Sequence, residues 1–391
     1  MSVHGPFSDL KIVEFTHTVM GPAAGMLFAE LGAEVIRIET PPNGDRTRYL
    51  GGSGAGYFSF YNRHKKSVLL DLKTDAGRDA ALKIIGTSDA LVENFAPGTM
   101  DRLGLGYEQV KRLYPRVIYC ALKGFLAGPY EDRLALDEVV QVMSGLAYMT
   151  GPPGQPLRAG ASVIDVMGGL AGAFAILAAL RERDKSGQGQ LVQGALYESA
   201  VYLMGQHMVQ SALQGTPVQP MSVRDSAWAI YRIYETKAGG PVFVGITTDE
   251  TWTRFCGEFG RPDLASRDDL ATNAGRRAHR AELDVEVARM FLGMTRDELV
   301  AACERARMPF GPVGRPEDLF EDPHLLQSGQ LTQTTLLDGS TIAIPTMPLR
   351  METWDPPSET RISLPGEDTR AVLAQAGLSE AEIDALAPHP N

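Results

Sequence analysis

Apolar residues in the first part of the chain switch between two periods. Leu10-Lys-Ile-Val-Glu-Phe15 has the every-second-residue pattern of a strand, and Glu34-Val-Ile-Arg-Ile38 repeats it. Residues 23–31 between them read as a short helix. Pro22 stands in its first turn, where a missing N–H costs nothing, and Gly32 stops it. Further strand patterns occupy 67–71, 90–93 and 117–121, with helical stretches at 77–87 and 107–113. Strands alternating with helices predict an α/β domain with a parallel sheet covered on both faces.

The second part begins with Val163-Ile-Asp-Val-Met-Gly-Gly169, which leads into an apolar helix over 170–180. Charges at 181–185 fill its last turn and Gly187 is placed to end it. A second long helix is predicted over 198–213, ending near Gly215. The character changes near residue 220. Segments 228–234 and 241–247 look like a hairpin around Lys237-Ala-Gly-Gly240, followed by helices over 249–259, 280–292 and 296–306. Strands near 332–337 and 341–344 and two short helices close the chain, the last with a Ser379/Glu382 capping box. The expected organisation is a large domain over 1–221, a smaller α+β domain over 222–320, and a return to the large domain over 321–391.

Composition narrows the function. Lys plus Arg number 37 against 48 Asp plus Glu, a net charge of −11, which speaks against a polyanion binder. Cys120, Cys256 and Cys303 are far apart and suggest a reducing compartment. The first ten residues lack the order of a secretory signal. The longest uncharged apolar stretch, 166–180, is shorter than the roughly 20 residues that span a bilayer. A soluble, cytoplasmic protein is expected. There is no H-E-x-x-H, cysteine cluster, P-loop or G-x-G-x-x-G, and no metal site is expected. Gly51-Gly-Ser-Gly-Ala-Gly56 misses the nucleophile elbow at Ala55 and reads as a mobile loop. The seven histidines, His4 and His389 among them, show no ligand-pair spacing.

Two features could carry chemistry. Asp165 is the only charge between Gly160 and Arg181 and stands ahead of a small-residue helix. One reading makes it the helix N-cap. The other makes it a nucleophile toward an acyl group: the helix N-terminus favours its anion, nearby N–H groups serve as oxyanion donors, and Gly168-Gly169 let substrate approach. The run Arg63-His-Lys-Lys66 reads either as a solvated strand edge or as a phosphate contact.

Phe15-Thr-His17, Gly21-Pro22, Leu31-Gly-Ala-Glu-Val-Ile-Arg-Ile-Glu39 and Gly44-Asp45 resemble the opening of class III CoA-transferases of the formyl-CoA and L-carnitine type. Similar matches follow in order: Asn62 with Lys65-Lys-Ser67, Leu70-Asp-Leu-Lys73, Val92-Glu-Asn-Phe95, Arg102-Leu-Gly104, Asp137 with Gln141, Ser186-Gly-Gln-Gly-Gln190 and Pro309-Phe-Gly-Pro-Val313. The resemblance covers about 10–385. It implies a Rossmann-like large domain and a homodimer of two interlocked rings, threaded through connections near 205–225 and 315–335. It implies that Asp165 is the catalytic nucleophile and that Asp137 is a second catalytic residue. The donor thioester would give an aspartyl anhydride and then an aspartyl-CoA thioester, which the acceptor acid resolves in reverse. A CoA thioester is then substrate, and no permanently bound cofactor is implied. By position, CoA contacts resemble His17, Val19, Met20, Thr40, Leu70, Lys73, Asn94, Phe95, Ala96, Arg102, Leu134 and Asp137. Val19, Thr40 and Leu134 replace a glutamine, an arginine and a lysine of the formyl-CoA enzyme, which speaks against the formyl/oxalate pair.

A 2-methylacyl-CoA racemase of the same superfamily would carry a histidine where Leu136 stands, so half of its acid/base pair is missing. A nicotinamide dehydrogenase lacks its glycine fingerprint. A silent CoA-binding protein would make Asp165 a cap only. The stretches 135–141 and 145–151 resemble members acting on dicarboxylates, with succinyl-CoA as the expected donor. Arg158 and Arg224 are then either cations for a second carboxylate or surface ion pairs.

Overall fold

A computed structural model describes residues 5–387; His4 and His389 lie outside the described residues. Six parallel strands, β1 (Lys11–Phe15), β2 (Glu34–Glu39), β3 (Lys66–Leu69), β4 (Ala90–Glu93), β5 (Ile118–Lys123) and β6 (Leu191–Ala195), form one sheet in the order β3-β2-β1-β4-β5-β6. The parallel sheet is the one the patterns predict. Its edge strand β6 was not, because Leu191-Val-Gln-Gly-Ala195 is too short and polar to show a period.

Neighbouring strand residues bury on opposite faces. Ile12, Val35 and Val92 pack with Phe28 and Ile176, whereas Val13, Ile36 and Leu91 pack with Ile84, Ile85 and Leu373. Helices α1 (Met20–Glu30), α2 (Tyr57–Tyr61), α3 (Asp75–Gly86), α4 (Thr99–Arg102), α5 (Tyr107–Leu113), α6 (Asp137–Met143), α7 (Leu146–Thr150), α8 (Val163–Ser186) and α9 (Leu196–Gln214) complete this part. The strand order reverses between β1 and β4, and the crevice beyond their carboxyl ends is where such sheets bind ligands.

α8 starts earlier than the apolar run suggests and takes Asp165 into its first turn. At 24 residues it is long and apolar enough, by length and composition, to cross a membrane, longer than the 166–180 stretch alone. Its glycines are packing surfaces. A Cβ on Gly169 would stand 2.8 Å from Met20 O and one on Gly172 2.7 Å from Leu122 Cδ2. That overturns the expectation that Gly168-Gly169 admit substrate: they admit α1.

The chain forms two compact units, Met1–Val223 with His324–Asn391, and Arg224–Pro323. The second has an antiparallel sheet β7 (Tyr231–Tyr234), β8 (Val242–Gly245) and β9 (Phe310–Pro312), with Trp252, Phe255 and Phe291 in its core. Residues after 323 return to the first unit and cover its edge. Asp368 Oδ2 and Thr369 Oγ1 accept from the N–H groups of Ser67 and Leu69 on β3.

In the basic run 63–66, Arg63 and Lys65 are neither a solvated edge nor open to a phosphate, whereas Lys66 on the edge strand β3 is half-exposed. Arg63 is buried and ion-paired with Glu30. Lys65 is buried at 2.9 Å from Glu14 and donates to Pro22 O, while Lys66 pairs with Glu34. Arg63 thus ties to α1, Lys65 to β1 and α1, and Lys66 to β2.

Candidate active site

The loops after β1 and β4 meet across the crevice. His17 N donates to Asn94 Oδ1 at 2.9 Å, and Asn94 Nδ2 returns a bond to His17 O. The His17 ring stacks on Phe95, 5.9 Å between centroids. Burial, more than its charged neighbours Asp45 and Arg37, lowers the His17 pKa, so the ring is neutral at pH 7. Above this junction lies a cavity of about 630 Å³, within the range of small-molecule sites. Its wall includes His17, Val19, Met20, Asn94, Phe95, Ala96, Leu134, Asp137 and Asp165, gathered from four separate stretches of sequence.

The remaining expected CoA contacts are not in that wall. Thr40, Lys73 and Arg102 are exposed outside it. Leu70 is buried in the apolar layer under α3, so its side chain is core and not a ligand contact. Arg158 does line the cavity, paired with Glu138 at 2.8 Å and Asp137 at 3.6 Å. Arg224 belongs to the second unit.

Asp165 is not a cap. Ser162 is the N-cap residue and makes no capping bond through its side chain. The work falls to Asp137 from α6, whose Oδ2 accepts from Ile164 N at 2.8 Å and Asp165 N at 3.1 Å. These are the second and third helical N–H groups, the ones an N-cap side chain serves. Gln141, one turn on, donates to the other oxygen of Asp137 and accepts from Ala159 N. With the N–H groups of Val163 and Val166 also bonded to backbone carbonyls, the first turn offers no free oxyanion donor. That corrects the sequence reading. Tyr57, Thr18 and Ser162 are further uncharged polar groups in the wall.

The consequence for Asp165 is electrostatic. Its carboxyl is half-buried and its helix terminus already holds an anion. Burial first and the Asp137 charge second push its pKa up to about 7, against a smaller pull from Arg158. The Tyr61 hydroxyl is raised to about 12, by burial and then by the charge of Asp165. A carboxylate of raised basicity facing a cavity is equipped for nucleophilic attack on an acyl carbon. Tyr57, Tyr61, Lys123 and Ser162 escaped sequence reading, because the fold alone gathers them here.

The geometry therefore describes a doubly wound α/β fold with a carboxylate of raised pKa facing a cavity at its switch point. Residues 7–369 match the model of CoA-transferase family III, and the chain belongs to that family. It is 31% identical over 382 residues to a succinate–glutarate CoA-transferase of Agrobacterium fabrum, covering 95% of each chain. It is 30% identical to a succinyl-CoA:mesaconate CoA-transferase of Haloarcula hispanica, covering 96% of this chain and 97% of that one. A CAIB/BAIF family protein from Brucella suis superposes with a TM-score of 0.84 at 29% identity, covering 95% of this chain and all of that one.

Proposed function

We propose that this enzyme moves CoA from succinyl-CoA to a small dicarboxylic acid, with Asp165 carrying the acyl group and then CoA. Asp165 Oδ attacks the thioester carbon, the C–S bond breaks, and a mixed anhydride and CoA thiolate result. The thiolate attacks the aspartyl carbon, releases the donor carboxylate and leaves an aspartyl-CoA thioester. The acceptor carboxylate attacks that carbon, expelling thiolate, which then takes the acceptor acyl group and restores Asp165. Each step exchanges one activated acyl bond for another, with no net proton and no ATP.

The observation that carries this reading is Asp165 itself, held in the cavity with its own N–H occupied by Asp137. Its carboxyl is left free for substrate, and its raised basicity favours attack. Arg158, at the cavity wall beside Asp137, is the cation for a second carboxylate; the succinate, glutarate and mesaconate in the relatives' names agree with such an acid. The family resemblance implies that the working enzyme is an interlocked homodimer, and the exposed apolar face of α9 supports association of two copies.

Incubation with succinyl-CoA and hydroxylamine should convert Asp165 to a hydroxamate, detected by peptide mass, and Asp165→Ala should lose all transfer. Substantial transfer by that variant would end the covalent reading. Succinate, mesaconate and glutarate should be used at least about tenfold better, by kcat/KM, than propionate or butyrate, the effect of one charged hydrogen bond. Equal use of monocarboxylates would remove the dicarboxylate assignment.

A further inference from the structure

We infer that Arg133 anchors a phosphate of the CoA nucleotide at the rim of this cavity. Three cations line the wall: Lys123, Arg133 and Arg158. Lys123 is held by Glu93 at 2.5 Å and donates to Phe95 O. Arg158 is held by Glu138 and Asp137. Arg133 alone of the three has no ion pair among the described residues, although Glu131 and Asp132 are its chain neighbours.

Its guanidinium is nonetheless fixed. It lies over the Tyr130 ring at 4.0 Å from the centroid. Tyr130 meets Phe125 edge-on at 5.6 Å and Tyr197 at 6.3 Å, and Phe125 is buried. Stacking on a ring that is itself braced orders the fork without consuming any of its five N–H donors. An exposed, ordered and unpaired guanidinium suits a phosphate, whose oxygens it can hold bidentately.

A second anion could compete for it, the distal carboxylate of the acceptor acid. The arrangement favours phosphate. Arg158 binds the same Asp137 that holds the Asp165 N–H, so Arg158 belongs to the reacting end. Arg133 stands on the exposed stretch before α6, with Leu134 as its exposed neighbour. The thioester of CoA is at one end of a long molecule and its phosphates at the other.

The inference rests on the CoA-transferase reading, and its test separates the two. Arg133→Ala should raise KM for succinyl-CoA about tenfold, equivalent to about 1.4 kcal/mol, with kcat within twofold. The succinyl thioester of pantetheine, which has no phosphate, should be used equally by variant and parent. Tyr130→Leu should reproduce part of the KM increase, and Tyr130→Phe, which keeps the ring, should not. Unchanged KM would overturn the assignment, as would an equal loss with the pantetheine thioester. A KM increase confined to the acceptor acid would overturn it in favour of a carboxylate. In every case the Asp165 hydroxamate should still form in Arg133→Ala; its failure in the parent enzyme would instead sink the transferase reading.

Discussion

Asp165 shows how one side chain takes on a cost that its chemistry uses. An ordinary aspartate is ionised well below pH 7; this one stays protonated to about 7, because burial and then Asp137 oppose its charge. In the proposed mechanism the carboxylate is the nucleophile, so kcat/KM should climb as pH rises through about 7 and level off above it. A flat profile between pH 5 and 9 would contradict the shift. The same shift fixes a stability sign. Between the unfolded and folded pKa values the folded chain binds the extra proton, so its stability falls as pH rises from about 4 to 7. Asp165→Asn carries no such charge. Its melting temperature should exceed the parent's at pH 8 and nearly equal it at pH 4, read by calorimetry at the two pH values.

Elements place that residue, and they were unequally legible. Strands β1, β2 and β4 could be read as short apolar runs because both of their faces are buried, and helices α3 and α5 from periodicity because each buries one face. The Ser379–Glu382 capping box also formed as read. Short elements with little apolar pattern, β6, β9 and α7, could not. At the site, Asp165 stood out in the sequence by its isolation, and the family resemblance made it the nucleophile candidate, but the residue that caps its helix was not legible. Asp137 lies 28 residues upstream, and only the packing of α6 on α8 joins them. Asp137→Asn should test that joint. It removes the charge that faces Asp165 from α6 and frees Arg158, so the rising limb of the pH profile should move to lower pH. A limb that stays in place would mean burial alone sets the Asp165 pKa. α8 has a second anchor in its glycines. Gly169→Val would force side-chain carbons against Met20 O and Ala23 Cβ. It should destabilise the protein by about 1–3 kcal/mol and depress kcat by displacing the α8 N-terminus. Chemical denaturation with parallel kinetics would reveal either effect.

Across the whole molecule the surface is the informative feature. No Asp, Glu, Lys or Arg occurs between Glu198 and Arg224, a run that includes nearly all of α9. Side chains along it stand in the open: Tyr202 is 80% exposed and Leu213 83%, and Phe174 on neighbouring α8 is 75% exposed. Val142 of α6, which packs against both helices, is 64% exposed as well. Contiguous apolar faces of this kind mark association surfaces. A second copy of this chain is the occupant that the homodimer reading supplies. Helix α9 ends at Gln214, as its pattern predicted, so the connection that the resemblance put near 205–225 comes down to residues 215–223 before the second unit. Sedimentation should give twice the 42.3 kDa chain mass. An interlocked pair cannot part without opening a ring, so that mass should persist on dilution from micromolar to nanomolar protein. A dimer that dissociates on dilution would refute the interlocking and keep the face. A monomer at every concentration would refute both. Phe174→Asp with Leu213→Asp should then lower the dimer's yield on refolding, because two carboxylates would have to enter the apolar seam unpaired.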